Sequence, residues 1–304
     1  DGHFCHNPRH PTLLFIKMAW VHLLRLALFP SILWDFVAGM VLAGLASQLF
    51  VPERSVPPLL ALIALYHGGM VLNDWADRKD DSIYRSSRPL ASGAVRPSVA
   101  LFIAAALLFG GAYLAGFEQK HVQILLGVIL VYNLGSRYLR HWLGPVLLAI
   151  ARAIALSFGP LFWFEPSAFV GLVTLLPAAC YALYFLFLSR LAQAEERGLP
   201  GMRGLGFSVA CAVTPLALLQ IGTPHWALAP LWLALIAFIV RPAWVDRGAH
   251  WSPTRVQMQV RRLLSAAPLL LSVILAAKGE WAWALGGPIA SLSVNQLAKL
   301  TTAE

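Results

Sequence analysis

The chain has 304 residues, 59% of them hydrophobic and only 12% charged, with a mean hydropathy of +0.69. A soluble domain carries about twice that charged fraction, and no water-facing globule of this length hides so much apolar surface. The net charge of +9 would suggest nucleic acid in a soluble chain, but here it has a membrane explanation and no nucleic-acid partner is expected. Long unbroken apolar runs exclude a barrel, whose strands would alternate, and leave an all-α membrane protein.

In chain order, the run from Gly2 to His10, with Cys5 among its histidines, lacks the spacing of a zinc site and reads as a polar terminus. Residues 12–25 read as an amphipathic helix on the membrane surface; no small-residue cleavage site follows, so no signal peptide is expected. Apolar spans follow near 26–49, 56–73, 98–116, 121–138, 143–163, 168–189, 205–222, 226–240 and 262–278. Each approaches the ~20 residues that cross a bilayer. The segment 281–294 is also apolar, but Gly286-Gly287-Pro288 makes it an interfacial segment or an extension of the ninth span rather than a tenth crossing. The domain reading is therefore residues 1–25 as an N-terminal segment, 26–294 as one transmembrane domain and 295–304 as a tail. Cys180 and Cys211 fall in apolar runs as small core residues.

Lys and Arg divide sharply between the two sides of these spans. Arg9, Lys17, Arg25 and the loops holding Arg78–Arg96, Arg137–Arg140, Arg190–Arg203 and Arg241–Arg262 lie on one side; only Arg54, Lys120, Lys278 and Lys299 lie on the other. The positive-inside rule puts the rich side in the cytoplasm, giving a multi-pass inner-membrane protein with its N-terminus inside. The long loops share that side, where function concentrates.

The second span closes on Asn73-Asp74-Trp75-Ala76-Asp77-Arg78-Lys79-Asp80-Asp81. If the helix continues, Asp74, Asp77 and Asp81 share one face at i, i+3 and i+7, with Asn73 beside it. The helix dipole disfavours carboxylates at a C-terminal end, and the acids repel one another. A divalent cation resolves this, and carboxylate oxygens suit Mg²⁺. Arg85, Arg88 and Arg96 could then hold a phosphate. The blander reading is a solvated helix end pairing with Arg78 and Lys79. His67 lies on the same face one level deeper, as a pocket residue or a satisfied core histidine. Two further charges sit inside spans, Asp35 in the first and Arg152 in the fifth. Such charges face a cavity or each other: Arg152 is a candidate diphosphate or carboxylate contact, and Asp35 a pocket residue.

Asn73-Asp74-x-x-Asp77-x-x-x-Asp81 followed by Arg88-Pro89-Leu90-Ala91-Ser92-Gly93 resembles the first signature of the UbiA superfamily of membrane prenyltransferases. Tyr132-Asn133 through Arg137 and Arg140 resembles its tyrosine-then-basic segment, and Gly144 with Ala151-Arg152 its fifth span. The resemblance covers most of residues 20–290. It implies a bundle of about nine transmembrane helices around a central cavity, with Mg²⁺ on Asp74, Asp77 and Asp81 holding an isoprenyl diphosphate. Asn73, Arg88, Arg137, Arg140, Arg152 and Arg190 are the implied diphosphate contacts. Trp34, Tyr132, Tyr181 or Tyr184 could face an allylic cation.

The second aspartate motif of that family is missing. Its place holds Ser189-Arg190-Leu191-Ala192-Gln193-Ala194-Glu195-Glu196-Arg197. Glu195 either stands for the motif's last acid as a metal ligand, or Glu195 and Glu196 pair with Arg190 and Arg197 at a wet helix end. The implied activity is Mg²⁺-dependent transfer of an isoprenyl group to an aromatic or lipophilic acceptor in the bilayer. The alternatives are a non-catalytic isoprenoid-lipid binding or carrier protein, and a phosphatidyltransferase using a CDP-linked alcohol.

Overall fold

The computed structural model describes residues 13–163, 172–216 and 228–302. The Gly2–His10 run and parts of the sixth, seventh and eighth predicted spans lie outside the described residues.

The chain folds as helices: α1 (Leu13–Leu23), α2 (Phe29–Leu42), α3 (Pro52–Tyr84), α4 (Pro97–Ala115), α5 (Lys120–Leu134), α6 (Arg137–Trp163), α7 (Leu172–Ala192), α8 (Gly201–Val213), α9 (Leu228–Val245), α10 (Pro253–Ala277), α11 (Trp281–Ala284) and α12 (Gly286–Thr302). Nine of them, α2 to α10, follow the nine predicted spans in order. Among the described residues five, namely α3, α4, α6, α7 and α10, are each long and apolar enough alone to cross a membrane. Large apolar side chains such as Phe102, Phe109 and Tyr113 on α4 point outward, as a lipid-facing wall requires.

Helix starts follow local chemistry. Pro52, Pro97 and Pro253 occupy first-turn positions, where a missing N–H costs nothing. Ser252 accepts a hydrogen bond from the Arg255 backbone N–H and caps α10. α3 runs 33 residues, through Asp74, Asp77 and Asp81, before stopping at Tyr84. The acidic stretch is therefore helical, and the predicted second span is only the apolar part of a longer rod.

Two apolar clusters build the core. One joins the inner faces of α1 to α6; the other joins α7 to α10 with parts of α2, α6 and α12. α2 and α6 meet very closely at Gly39, where an added Cβ would stand 1.6 Å from the Leu156 carbonyl oxygen. Small residues let backbones approach in this way. Ser31, Asp35 and Gly39 share one face of α2, so this approach sets Asp35 opposite α6. Beyond the membrane helices, a two-residue β1 (Leu199–Pro200) pairs antiparallel with β2 (His250–Trp251), tying the segment after α7 to the segment before α10.

The C-terminal segment differs from expectation. α11 and α12 fold back along α10: an added Cβ at Gly287 would meet Ser272 and Pro268, and one at Gly286 the Trp34 ring. α12 then packs on α2, on the 3-10 turn at Leu26–Leu28 and on α1. Residues 281–302 thus return toward the end of the bundle that carries Arg25. α12 passes through position 295 without a break. The physical reason is that glycines at 286 and 287 here permit close packing instead of ending a span.

Candidate active site

A cavity of about 250 Å³ lies between the two apolar clusters. Leu62, Leu65, Leu125, Val128, Leu147 and Leu148 form its apolar wall, and polar side chains gather at two ends. The mouth carries Arg25, Asn73, Tyr132 and Glu195; the deep end carries Ser31, Tyr66 and Arg152.

Beside the mouth, Asp74, Asp77 and Asp81 do not themselves line the cavity but each meets an arginine from outside α3. Asp74 and Asp81 are buried, 5% and 6% exposed. Arg88 Nη1 reaches both, at 3.4 Å from Asp74 Oδ1 and 2.8 Å from Asp81 Oδ2. Arg25 Nη2 adds a contact to Asp74 Oδ1 at 2.7 Å. Asp77 instead receives Arg140 Nη1 and, at 3.2 Å, the Asn73 side-chain amide. The three acids share a helix face but not one centre: among the described residues no three His, Cys, Asp or Glu side chains gather as a metal-binding group. Like charges repel along the face, and arginines on both flanks draw the side chains apart.

That arrangement suits a hard cation in a narrower way than three convergent acids would. Asp74 and Asp81, from successive turns, already hold one positive nitrogen between them. Mg²⁺ uses one or two carboxylates together with substrate phosphates, so this pair fits the donor set.

The remaining candidates separate. Tyr132 lines the mouth, with the Arg140 guanidinium 5.9 Å from its ring centre. The Arg137 side chain lies outside the described residues. Arg190 turns away from the acids to the His141 and Trp142 carbonyl oxygens, each at 3.4 Å, so it secures the start of α6. Arg96 is exposed at the start of α4. His67 takes the core-histidine role: its Nδ1 donates to the Leu24 carbonyl oxygen at 2.6 Å, and it does not line the cavity. Glu195 pairs with Arg85 at 3.1 Å, not with Arg190 or Arg197, and reaches the mouth. Burial pushes its carboxyl above the ordinary range, against the pull of Arg85 and Arg88.

Arg152 sits about 18 Å along α6 from Arg140 at 1.5 Å per residue. It is not at the mouth. Its Nη2 stands 3.0 Å from Asp35 Oδ2, 2.9 Å from the Tyr181 hydroxyl and 3.1 Å from Ser31 Oγ. Tyr181 in turn donates to Asp35 Oδ1. Two charges buried this deep are held only by mutual pairing. Of the aromatic candidates, Tyr132 lines the cavity, Trp34 packs on Gly286, and Tyr184 donates to the Leu263 carbonyl oxygen. Tyr66 and Phe185 face the cavity instead.

Sequence reasoning counted Arg25 only as a basic-side residue. It lies between α1 and the Leu26–Leu28 turn with φ of 50°, the one non-glycine residue at positive φ among those described. No sequence pattern marks it. Ser31, one turn before Asp35 on α2, likewise carries no pattern that singles it out.

No protein-family model matches the chain. It is 33% identical over 85 residues to a digeranylgeranylglyceryl phosphate synthase of Methanothrix thermoacetophila, covering 28% of this chain and 31% of that protein. It is 30% identical over 150 residues to a 4-hydroxybenzoate octaprenyltransferase of Pasteurella multocida, covering 45% and 48%. Over 275 residues it is 24% identical to the chloroplastic chlorophyll synthase of Arabidopsis thaliana, covering 80% and 69%. The matches thus span less than half the length of the first two relatives. A solved structure from work on digeranylgeranylglyceryl phosphate synthase shares the fold, with a TM-score of 0.55 at 15% identity, over 90% of this chain and 98% of that one.

Proposed function

With its relatives and its fold both indicating the UbiA superfamily of membrane prenyltransferases, we propose that this multi-pass membrane protein transfers an isoprenyl group from an isoprenyl diphosphate to a lipophilic acceptor. The observation that carries the reading is one cavity with an apolar wall whose mouth residues Arg25, Asn73 and Glu195 each pair with a network of arginines and acids beside it. Arg25, Arg85, Arg88 and Arg140 pair there with Asp74, Asp77, Asp81 and Glu195. By the distribution of Lys and Arg, the mouth opens on the cytoplasmic face.

Each step follows from these side chains. The isoprenyl chain lies against the leucines and valines of the wall. Arg25, Arg88 and Arg140 exchange carboxylate partners for diphosphate oxygens, to which guanidinium groups bind strongly. Asn73, already a donor at 3.2 Å to Asp77, orients that acid. Asp74 and Asp81 would hold Mg²⁺, which would neutralise part of the charge on the leaving diphosphate. As the allylic carbon–oxygen bond breaks, its electron pair leaves with the diphosphate, and the arginines stabilise the added charge. The acceptor attacks the allylic carbon and then loses a proton. The apolar wall keeps water from competing, and Tyr132 offers a ring face to the cation.

The test is a screen of purified protein with radiolabelled isoprenyl diphosphates of several lengths, with and without Mg²⁺. Asp74→Ala/Asp77→Ala should abolish Mg²⁺-dependent transfer while the protein stays folded; full activity in that variant would remove the proposed role. Glu195 pairs with Arg85 in place of the family's second motif, and this favours one further reading, an isoprenoid-lipid carrier. Mg²⁺-dependent donor binding without turnover would support it.

A further inference from the structure

The cavity has a floor. Going inward from the mouth, the last residues that line it are Leu62 on α3, Leu125 on α5 and Ala155 on α6. One turn further on, His121 of α5 and Phe158 of α6 pack edge to face, with ring centres 5.2 Å apart. Asp35 and Tyr181 stand one turn beyond the lining residues Ser31 and Phe185 in the same way. All four are at most 6% exposed, and none lines the cavity. There is no slack behind them: an added Cβ at Gly159 would stand 2.7 Å from Met40 Sδ and 2.8 Å from the Phe36 ring. Arg152, passed on the way in, is paired with Asp35 at 3.0 Å and leaves the wall without net charge.

Length and volume set different limits on a tail that ends at this floor. From Asn73 to Leu62 α3 advances about 16 Å, and from Asn133 to Leu125 α5 advances about 12 Å. An isoprene unit lays four carbon–carbon bonds along the chain, about 5 Å when extended. Length therefore admits two or three units and excludes four. Volume is stricter. An apolar cavity of about 150 Å³ takes benzene, so each carbon needs about 25 Å³. The 250 Å³ found here then takes about ten carbons. Resting on the substrate reading above, we propose that the donor carries a tail of two isoprene units, and that Ala155 and Phe158 set this limit. Room taken by the acceptor shortens the tail and never lengthens it. The carbons of a further unit would need the space that Phe158 and His121 hold.

The test is equilibrium dialysis of the full chain in one mild detergent with Mg²⁺. Radiolabelled geranyl diphosphate competes with unlabelled dimethylallyl, farnesyl and geranylgeranyl diphosphates at equal free concentrations. Apolar burial strengthens binding with every added carbon, so a tail without a floor gives a series that rises throughout. With the floor, geranyl diphosphate should bind at least about tenfold tighter than either dimethylallyl or geranylgeranyl diphosphate. Ala155→Leu adds three carbons at the deep end and should weaken geranyl diphosphate about tenfold, removing its advantage over dimethylallyl diphosphate. Phe158→Ala frees room for about six carbons and should move the optimum to farnesyl diphosphate. Geranylgeranyl diphosphate binding as tightly as geranyl diphosphate in the unaltered protein would overturn the inference, whether or not the Phe158 variant folds. So would an Ala155→Leu variant that keeps the geranyl preference. Equal binding at every length removes this inference alone, whereas no Mg²⁺-dependent binding of any isoprenyl diphosphate removes the broader reading with it.

Discussion

Gly39→Ala probes how two helices create the deep polar cluster. The added methyl would stand 1.6 Å from the Leu156 carbonyl oxygen. Backbone on the opposing helix cannot rotate away, so α2 must retreat from α6. Restoring an ordinary contact needs a shift of about 1.5–2 Å, and an overpacked interface costs about 1–3 kcal/mol. Asp35 lies one turn from Gly39 and moves with it. Its 3.0 Å contact with Arg152 then opens toward about 5 Å, which at an effective dielectric of 20 weakens the pair by about 2 kcal/mol. The total loss is about 3–5 kcal/mol, at the size expected for disrupting a buried pair. Denaturant unfolding of the purified protein in mild detergent measures it. Gly110→Ala, on α4 with nothing within 4 Å of the new methyl, is the matched control and should gain up to about 1 kcal/mol. If Gly39→Ala proves as stable as Gly110→Ala, the close α2–α6 approach and the clamp it places on Asp35 are wrong.

Other perturbations separate the roles of the mouth residues. Arg25→Gly and Arg25→Ala should both weaken donor binding about tenfold, the loss expected for one charge-assisted contact. Arg25→Gly should remain the more stable by about 1 kcal/mol, because glycine accepts the positive φ that alanine resists; unfolding midpoints check the order. Arg190→Ala should change donor affinity by less than about threefold, since Arg190 holds carbonyl oxygens of α6 rather than the acids; filter binding with radiolabelled donor tests this. Glu195 has its folded-state pKa raised by burial. The stability linked to it is complete below the unfolded pKa and declines as pH rises through the folded one. Glu195→Gln should therefore flatten that decline in unfolding experiments run from acidic to neutral pH, and an unchanged slope would remove the buried-carboxyl account.

The amino-acid sequence determines much of this protein by itself. Twenty-residue apolar runs can satisfy their backbone in lipid only as helices, so the membrane class and the order of α2 to α10 were legible without coordinates. So was the shared face of Asp74, Asp77 and Asp81, because helical periodicity is local. Tertiary structure alone decided which partners those acids take. Arg25, Arg88 and Arg140 arrive from three different elements, and no spacing along the chain records their approach. It also decided that Arg152 belongs with Asp35 at the far end of the cavity, and that α12 returns along α10. In both cases glycines meeting an opposing surface set the distance, and a glycine in sequence does not say whether it ends a helix or lets another come close.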